Sequence, residues 1–301
     1  MVSQVLTTSL TTFLIRISIF LMRRLLFSTS TDNPVFSEIT RISKTLAVAL
    51  PESVIVQQSI TTFNKAVNGY WAKQEFEVSL CIVCPRNDKK LCAAIKIIKR
   101  EYDERKKEQV GGGHVSERLF AIHGGGYSYN AGAASIEGDV LIDLSCFNEV
   151  ISSEVNNESC VIIGAGCRWV DVSKKLDERG LAVVGGRNSA VGFGRLTLGV
   201  CSKIISYDII LASGSLTIAS ATQNPDLWRA LKAGSNNFGI VTRFTARSFS
   251  SIKIWSGVLY VPNSQTSKVI SAFHDVVNRV DWDHHAAGPL ACFTYIQPLG
   301  L

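Results

Sequence analysis

Three glycine-rich turns, each set against a short apolar run, constrain this chain more than any other feature. They are Gly124-Gly125-Gly126-Tyr127-Ser128, then Gly185-Gly186-Arg187 with Gly192, Gly194 and Gly199 behind it, and Gly234-Ser235-Asn236-Asn237-Phe238-Gly239. Glycine admits positive φ and lets backbone N–H groups meet an anion with no side chain in between. One such turn is ordinary. Three among short strands suit a long, phosphate-bearing ligand that has to be held at several points.

The runs between the turns predict an α+β chain of several short sheets with no regular βαβ repeat. Strands are expected over residues 77–85, 118–122, 140–144, 161–163, 204–211, 240–246 and 256–261, with a hairpin around Ser213-Gly214 over 209–219. Helices are expected over 90–107, on the spacing Leu91, Ile95, Ile98, and over 169–179, with Trp169, Val172 and Leu176 on one face and Gly180 as the stop. Another opens at Asn224-Pro225-Asp226, with Asn as cap and Pro at the first helical position, and a last one covers 265–279. Residues 32–66 read as helical and then mixed, broken at Pro51, and 110–113 (VGGG) as a loop.

A Rossmann site fails on this sequence. Residues 161–179 (VIIGAGCRWVDVSKKLDER) offer strand, Gly-x-Gly and helix, but the third glycine of the fingerprint falls on Trp169. That glycine permits close packing of helix on strand, which an indole prevents.

At 301 residues, with 46% apolar and 19% charged residues, the chain has the balance of a globular protein rather than a disordered one. The formal charge of +6 is not gathered into an aromatic-interleaved patch. The densest basic run, 96–107 (KIIKREYDERKK), mixes in three acids and reads as a solvated helix face, so no nucleic-acid partner is expected. Eight cysteines do not make a disulfide scaffold at this length. The lone Cys81-x-x-Cys84 lacks the second ligand pair of a structural zinc site, so no metal is expected, and residues 78–84 (VSLCIVC) read as a buried strand.

The first 31 residues hold no acid, with Arg16, Arg23 and Arg24 among apolar and hydroxyl residues. The apolar stretch is too short to span a bilayer and poor as a signal core, so no stable membrane span is expected. A damaged secretion signal, a mitochondrial presequence and sequence wrongly taken as coding all remain open.

Five blocks in fixed order resemble a known family: 120–133 (FAIHGGGYSYNAGA), 140–144 (VLIDL), 164–181, 187–199 and 224–244 (NPDLWRALKAGSNNFGIVTRF). They are similar to the FAD-linked oxidases of the vanillyl-alcohol-oxidase or PCMH type, especially the fungal berberine-bridge-like members of secondary metabolism. The resemblance implies a targeting-like or unstructured segment over 1–45 and a PCMH-type FAD-binding domain of two α+β subdomains over 46–250, with a break near 145–150. The incomplete start of an α+β substrate domain follows over 251–301.

The resemblance also implies cofactor contacts. Gly124, Gly125, Gly126, Tyr127 and Ser128 match the loop around the FAD pyrophosphate and flavin. Gly192, Gly194, Leu196 and Thr197 match the second phosphate-side loop, and Gly239 and Ile240 a segment whose backbone meets the flavin or adenine portion. Asn148 matches a position after the Asp-Leu-Ser strand end, although it reads equally as a loop residue.

The chain departs from that pattern in several places. Tyr127 stands where the family carries a histidine bonded to flavin, and His123 stands in the arginine position. Imidazole is a good nucleophile at neutral pH and a protonated phenol a poor one, so FAD is expected to bind non-covalently. His123 reads as a packing or surface residue. The family's second attachment cysteine is missing from Gly186-Arg187-Asn188-Ser189. After Gly199 the family continues through a glycine turn and a helical stretch that this chain lacks, and Leu301 arrives inside the substrate domain, before the family's catalytic acids and bases.

The implied function is an FAD-dependent oxidase that passes hydride from a small organic substrate to flavin, with O2 as acceptor. The alternative is a catalytically inactive remnant, or mis-spliced pseudo-enzyme, with weak or no flavin binding. Secretion is implied by the family resemblance, and the sequon Asn157-Glu158-Ser159, a triplet that often arises by chance, is compatible with it. No catalytic residue or substrate is assigned.

Overall fold

The computed structural model describes residues 34–56, 69–72, 77–108, 118–155, 157–199, 203–253 and 257–279. The targeting-like residues 1–33, the loop at 110–113 and the link at 200–202 lie outside the described residues. The chain divides after Ser251 into two compact units.

The first unit is built on two sheets. One has the order β1 (Val54–Val56), β2 (Cys81–Val83), β4 (Val140–Asp143), β3 (Phe120–His123), with β1 antiparallel to β2 and the other pairs parallel. β4 is buried at every position, as a strand covered on both faces should be. Helices α1 (Pro34–Ala49) and α2 (Asp88–Glu108) pack on one face, contributing Ile42, Leu46, Leu91, Ala94, Ile95 and Ile98 to the core. The boundary expected at residue 45 therefore falls inside a packed helix. Burial pushes the thiols of Cys81 and Cys84 up to about 12, so both stay protonated and pack as small apolar groups.

α2 starts where Asn87 Oδ1 accepts the Lys90 N–H at 3.0 Å, and its ends carry Asp88 and Arg105, Lys106 and Lys107, complementing the helix dipole. The run 96–107 is not wholly solvated. Glu101 and Arg105 continue the buried stripe of Leu91 and Ile98 and are only 6% and 7% exposed. Arg41 and Arg105 each approach Glu101 Oε1 at 3.0 Å, and Arg105 Nη1 lies 3.7 Å from Asp139 Oδ1.

The second sheet runs β5 (Val150–Val155), β6 (Glu158–Gly164), β10 (Ile240–Ser250), β8 (Ile204–Ile210), β9 (Leu216–Ser220), all antiparallel, with β7 (Leu181–Val183) pairing the end of β10. Helices α3 (Trp169–Asp177), α4 (Phe193–Gly199) and α5 (Pro225–Leu231) complete the unit. Trp169, Phe193, Phe244 and Tyr207 form a buried chain of rings with successive centroids 4.6, 5.2 and 5.7 Å apart. On the opposite face of β10, Arg243 pairs with Asp88 of α2 and with Glu149, and lies 3.9 Å from Asp208. Burial alone would lower Arg243, but Asp88 and Glu149 outweigh it and hold the guanidinium above its ordinary value.

Several expectations are corrected. β5 and β7 form where no strand was expected, and β10 extends to Ser250. Asn224 sits at the cap position with φ 51°, but its amide donates to Thr217 Oγ1 and Ile218 O instead of capping α5. In the second unit, residues 257–261 form no strand, and the described structure is a short 3-10 turn (Asn263–Gln265) leading into α6 (Thr266–Arg279). Among the described residues, no helix is long and apolar enough to cross a membrane.

Asp139 supplies a test of this packing. It is 8% exposed, and burial pushes its carboxyl up to about 6 against the pull of Arg105. A carboxyl raised on folding costs stability as pH climbs from its unfolded value through its folded one. Asp139→Asn, which cannot ionise, should therefore melt a few degrees above the parent at pH 7.5. The gain should vanish at pH 4, as read by circular dichroism.

Candidate functional site

β3 ends at His123 and the chain turns through Gly124, Gly125 and Gly126 against the segment before α4. Gly125 and Gly192 meet backbone to backbone: a Cβ on Gly125 would fall 2.6 Å from Gly192 N, and one on Gly192 2.8 Å from Gly125 Cα. No other residue type fits at either position without moving a loop. Gly126 has φ 60°, its carbonyl accepts the Trp71 N–H at 2.8 Å, and a Cβ there would meet His123 Nε2 at 2.6 Å. His123 is accordingly a buried packing residue under the loop. Its Nδ1 lies 3.7 Å from Asp143 Oδ1 and its ring meets Tyr70 edge-on at 4.9 Å. Burial would raise the Asp143 carboxyl, but His123 and the Ser145 N–H overcome this and hold it below the ordinary range. Ser128 is buried, with Oγ accepting the Asn130 N–H at 3.2 Å.

The second glycine cluster differs from its expected form. Gly192 bridges to Arg168, and the chain then coils into α4 instead of forming a loop. Gly194 packs by Ala165 O and the Phe244 ring. Thr197 is buried and spends its hydroxyl on Phe193 O at 2.7 Å, while Leu196 lies against Gly186. Gly185 and Gly186 seat the Trp169 ring, so they serve packing.

The third cluster opens onto a cleft of about 540 Å3. Gly239 and Ile240 line it together with Phe120, Ala121 and Ile122 of β3, Arg118 and the turn at Gly132. Arg118 donates to Gly132 O in its wall. The cleft sits beside the first residue of β10, and Gly194 beside Phe244 of the same strand, so the two places are separated by four strand residues, roughly 13 Å. β3 joins them from the other sheet: it lines the cleft and runs directly into the Gly124 turn. Gly125 is thus brought against Gly192, and Gly124 and Gly194 to Ala165, while of the expected residues only Gly239 and Ile240 line the cleft. Asn148 is exposed after β4, its carbonyl 3.4 Å from Lys175 Nζ, and its described contacts do not reach the cleft or the glycine turns.

The fold adds residues the sequence did not single out. Arg168 donates to Ala190 O at 2.6 Å and to Gly69 O at 3.4 Å, tying two rim segments. Trp71 lies against the Tyr127 ring at 5.1 Å, and Asn188 Nδ2 donates to the Tyr127 hydroxyl at 2.9 Å. No periodicity or spacing marks these residues, because they meet only through loops distant in sequence.

Residues 79–220 match the family described as FAD binding domain. The FAD-dependent monooxygenase tpcD of Cochliobolus heterostrophus is 37% identical over 182 residues, 56% of this chain and 35% of that protein. The chain thus carries an FAD binding domain over residues 79–220 and is related there to FAD-linked oxidoreductases. The FAD-dependent monooxygenase prx3 of Penicillium roqueforti is 31% identical over 240 residues, 76% of this chain and 44% of that protein. The chain thus spans less than half the length of these relatives. The solved structure of 6-hydroxy-D-nicotine oxidase from Arthrobacter nicotinovorans has the same fold, with TM-score 0.63 at 20% identity over 76% of this chain and 49% of that one.

The meeting of glycine backbones in this FAD-binding domain gives a paired test. Gly125→Ala drives a methyl into Gly192 and should destabilise the chain by about 2 kcal/mol. Gly124→Ala, whose Cβ would lie 3.6 Å from Ala165 O, should have little effect. Urea denaturation of the two variants checks this; equal losses would contradict the geometry.

Proposed function

We propose that the first unit holds FAD non-covalently and extended along the boundary between its two sheets, and that the protein is an FAD-dependent oxidoreductase. The observation that carries the reading is the Gly125–Gly192 contact: two side-chain-free turns pressed together at one end of a path that leads to the 540 Å3 cleft. Such a cradle fits a dinucleotide. The turn at Gly124–Gly126 offers backbone donors to the pyrophosphate, Gly192 and Gly194 flank it, and Gly239 and Ile240 bound the far end. Leu196, Thr197 and Ser128 contribute by shaping those segments.

When bound, FAD supplies the two-electron acceptor, and the protein supplies orientation and exclusion of water. The substrate is a small organic molecule and the final acceptor O2. The names of the fungal relatives, FAD-dependent monooxygenases, support oxygen-linked flavin chemistry. Secretion belongs to the same proposal, since Asn157 of the sequon is exposed in the turn between β5 and β6.

The competing reading, an inactive remnant, rests on the direct run from Gly199 into β8, where the family has further cofactor-covering residues. One preparation separates the readings. After expression and desalting, the visible spectrum should show a bound flavin band that bleaches with substrate, and acid precipitation should release all flavin to the supernatant. A colourless protein that takes up no added FAD supports the remnant. Flavin retained in the pellet contradicts the non-covalent assignment.

A further inference from the structure

We propose that Asn188 is a positioning residue for the flavin site: it holds the Tyr127 phenol in place and turns its O–H toward the bound cofactor. The inference rests on the non-covalent FAD reading above and adds a residue to it. Both ends of the Asn188 amide are committed. Oδ1 accepts the Ala190 N–H at 3.0 Å, which leaves Nδ2 facing Tyr127, where it donates to the phenol oxygen at 2.9 Å. Reversing the amide would set two donors against each other at Ala190, so the backbone fixes its orientation.

A phenol oxygen that accepts from Asn188 keeps its own proton for another acceptor. Swinging of the ring is limited on the other side by Trp71, whose ring centroid lies 5.1 Å away at an angle of 33° and whose N–H is tied to Gly126 O. Tyr127 is thereby held at the rim with its hydroxyl proton free to be donated.

The two partners also occupy telling positions. Tyr127 stands where the family resemblance places a flavin-bonded histidine, and Asn188 lies in the segment from which its attachment cysteine is missing. The bond between them shows that the two segments share one rim. A hydrogen-bonded clasp stands in place of two covalent links.

In the free chain Asn188 is exposed and Tyr127 half-buried, so their bond competes with water and adds little to folding. A planar ring laid over the pair would displace that water and strengthen the bond in a lower dielectric. The clasp therefore acts on cofactor retention, and its loss should spare the flavin-free fold.

The test is an FAD titration of the desalted chain, followed by flavin fluorescence, with a thermal melt of the flavin-free protein alongside. Asn188→Ala and Tyr127→Phe should each weaken FAD binding about fivefold, the equivalent of one net hydrogen bond. The double variant should bind no more weakly than the weaker single one, and the flavin-free melting temperatures should not change. Equal affinity in all variants, additive losses, or a lowered flavin-free melt would overturn the proposal while leaving FAD binding intact. Failure of the unaltered chain to bind FAD would overturn both.

Discussion

The contact between Gly125 and Gly192 sets the terms for the rest of the first unit. Two backbones can touch only where neither carries a side chain, so the turn after β3 and the entry to α4 are locked in register with each other. The surrounding residues keep the lock closed. Arg168 pairs with Gly192 and reaches Ala190 and Gly69, while the Trp169 ring packs on Gly185 and Phe193. The turn after β3 and the entry to α4 thereby meet backbone to backbone, with no side chain between them at Gly125 and Gly192. That is the surface a pyrophosphate needs.

A second tie between the sheets is electrostatic. Arg243 projects from the middle of β10 and gathers Asp88 from α2, Glu149 from the loop before β5, and Asp208 from β8. Burial and the neighbouring acids Asp88 and Glu149 raise the Asp208 carboxyl, against the pull of Arg243. One cation serving three partly buried carboxylates contributes less to net stability than to placement, because desolvation offsets much of the attraction. Its guanidinium carbon also lies 5.6 Å from the centroid of the Phe147 ring, in the segment between β4 and β5.

Legibility in the sequence followed the range of the interactions. Elements set by local periodicity, such as α2 on Leu91, Ile95 and Ile98, or α3 between Trp169 and Gly180, were readable because their apolar stripes and stops lie within a few residues. β5 was hidden, since its sequence VISSEV has polar residues at the centre and becomes a strand only by pairing with β6. α4 was hidden for the opposite reason: its glycines signalled a loop, and burial of Phe193 and Leu198 overrode them. The buried pair Glu101 and Arg105 was lost inside a run that looked solvated. At the candidate site the glycine positions were legible, because backbone approach leaves a mark in residue type. Trp71, Arg168 and Asn188 were not, because the contacts that bring them to the rim, with Tyr127, Ala190 and Tyr127 in turn, span 56, 22 and 61 residues of sequence.

Hydrogen exchange with and without FAD tests the account most directly. If the sheet boundary is the cofactor's bed, adding FAD slows exchange at the backbone amides of residues 124–128, 188–194 and 239–240 together, and leaves those of α6 unchanged. Protection confined to one of the three segments, or none in any of them at saturating FAD, would contradict the shared cradle and with it the functional reading.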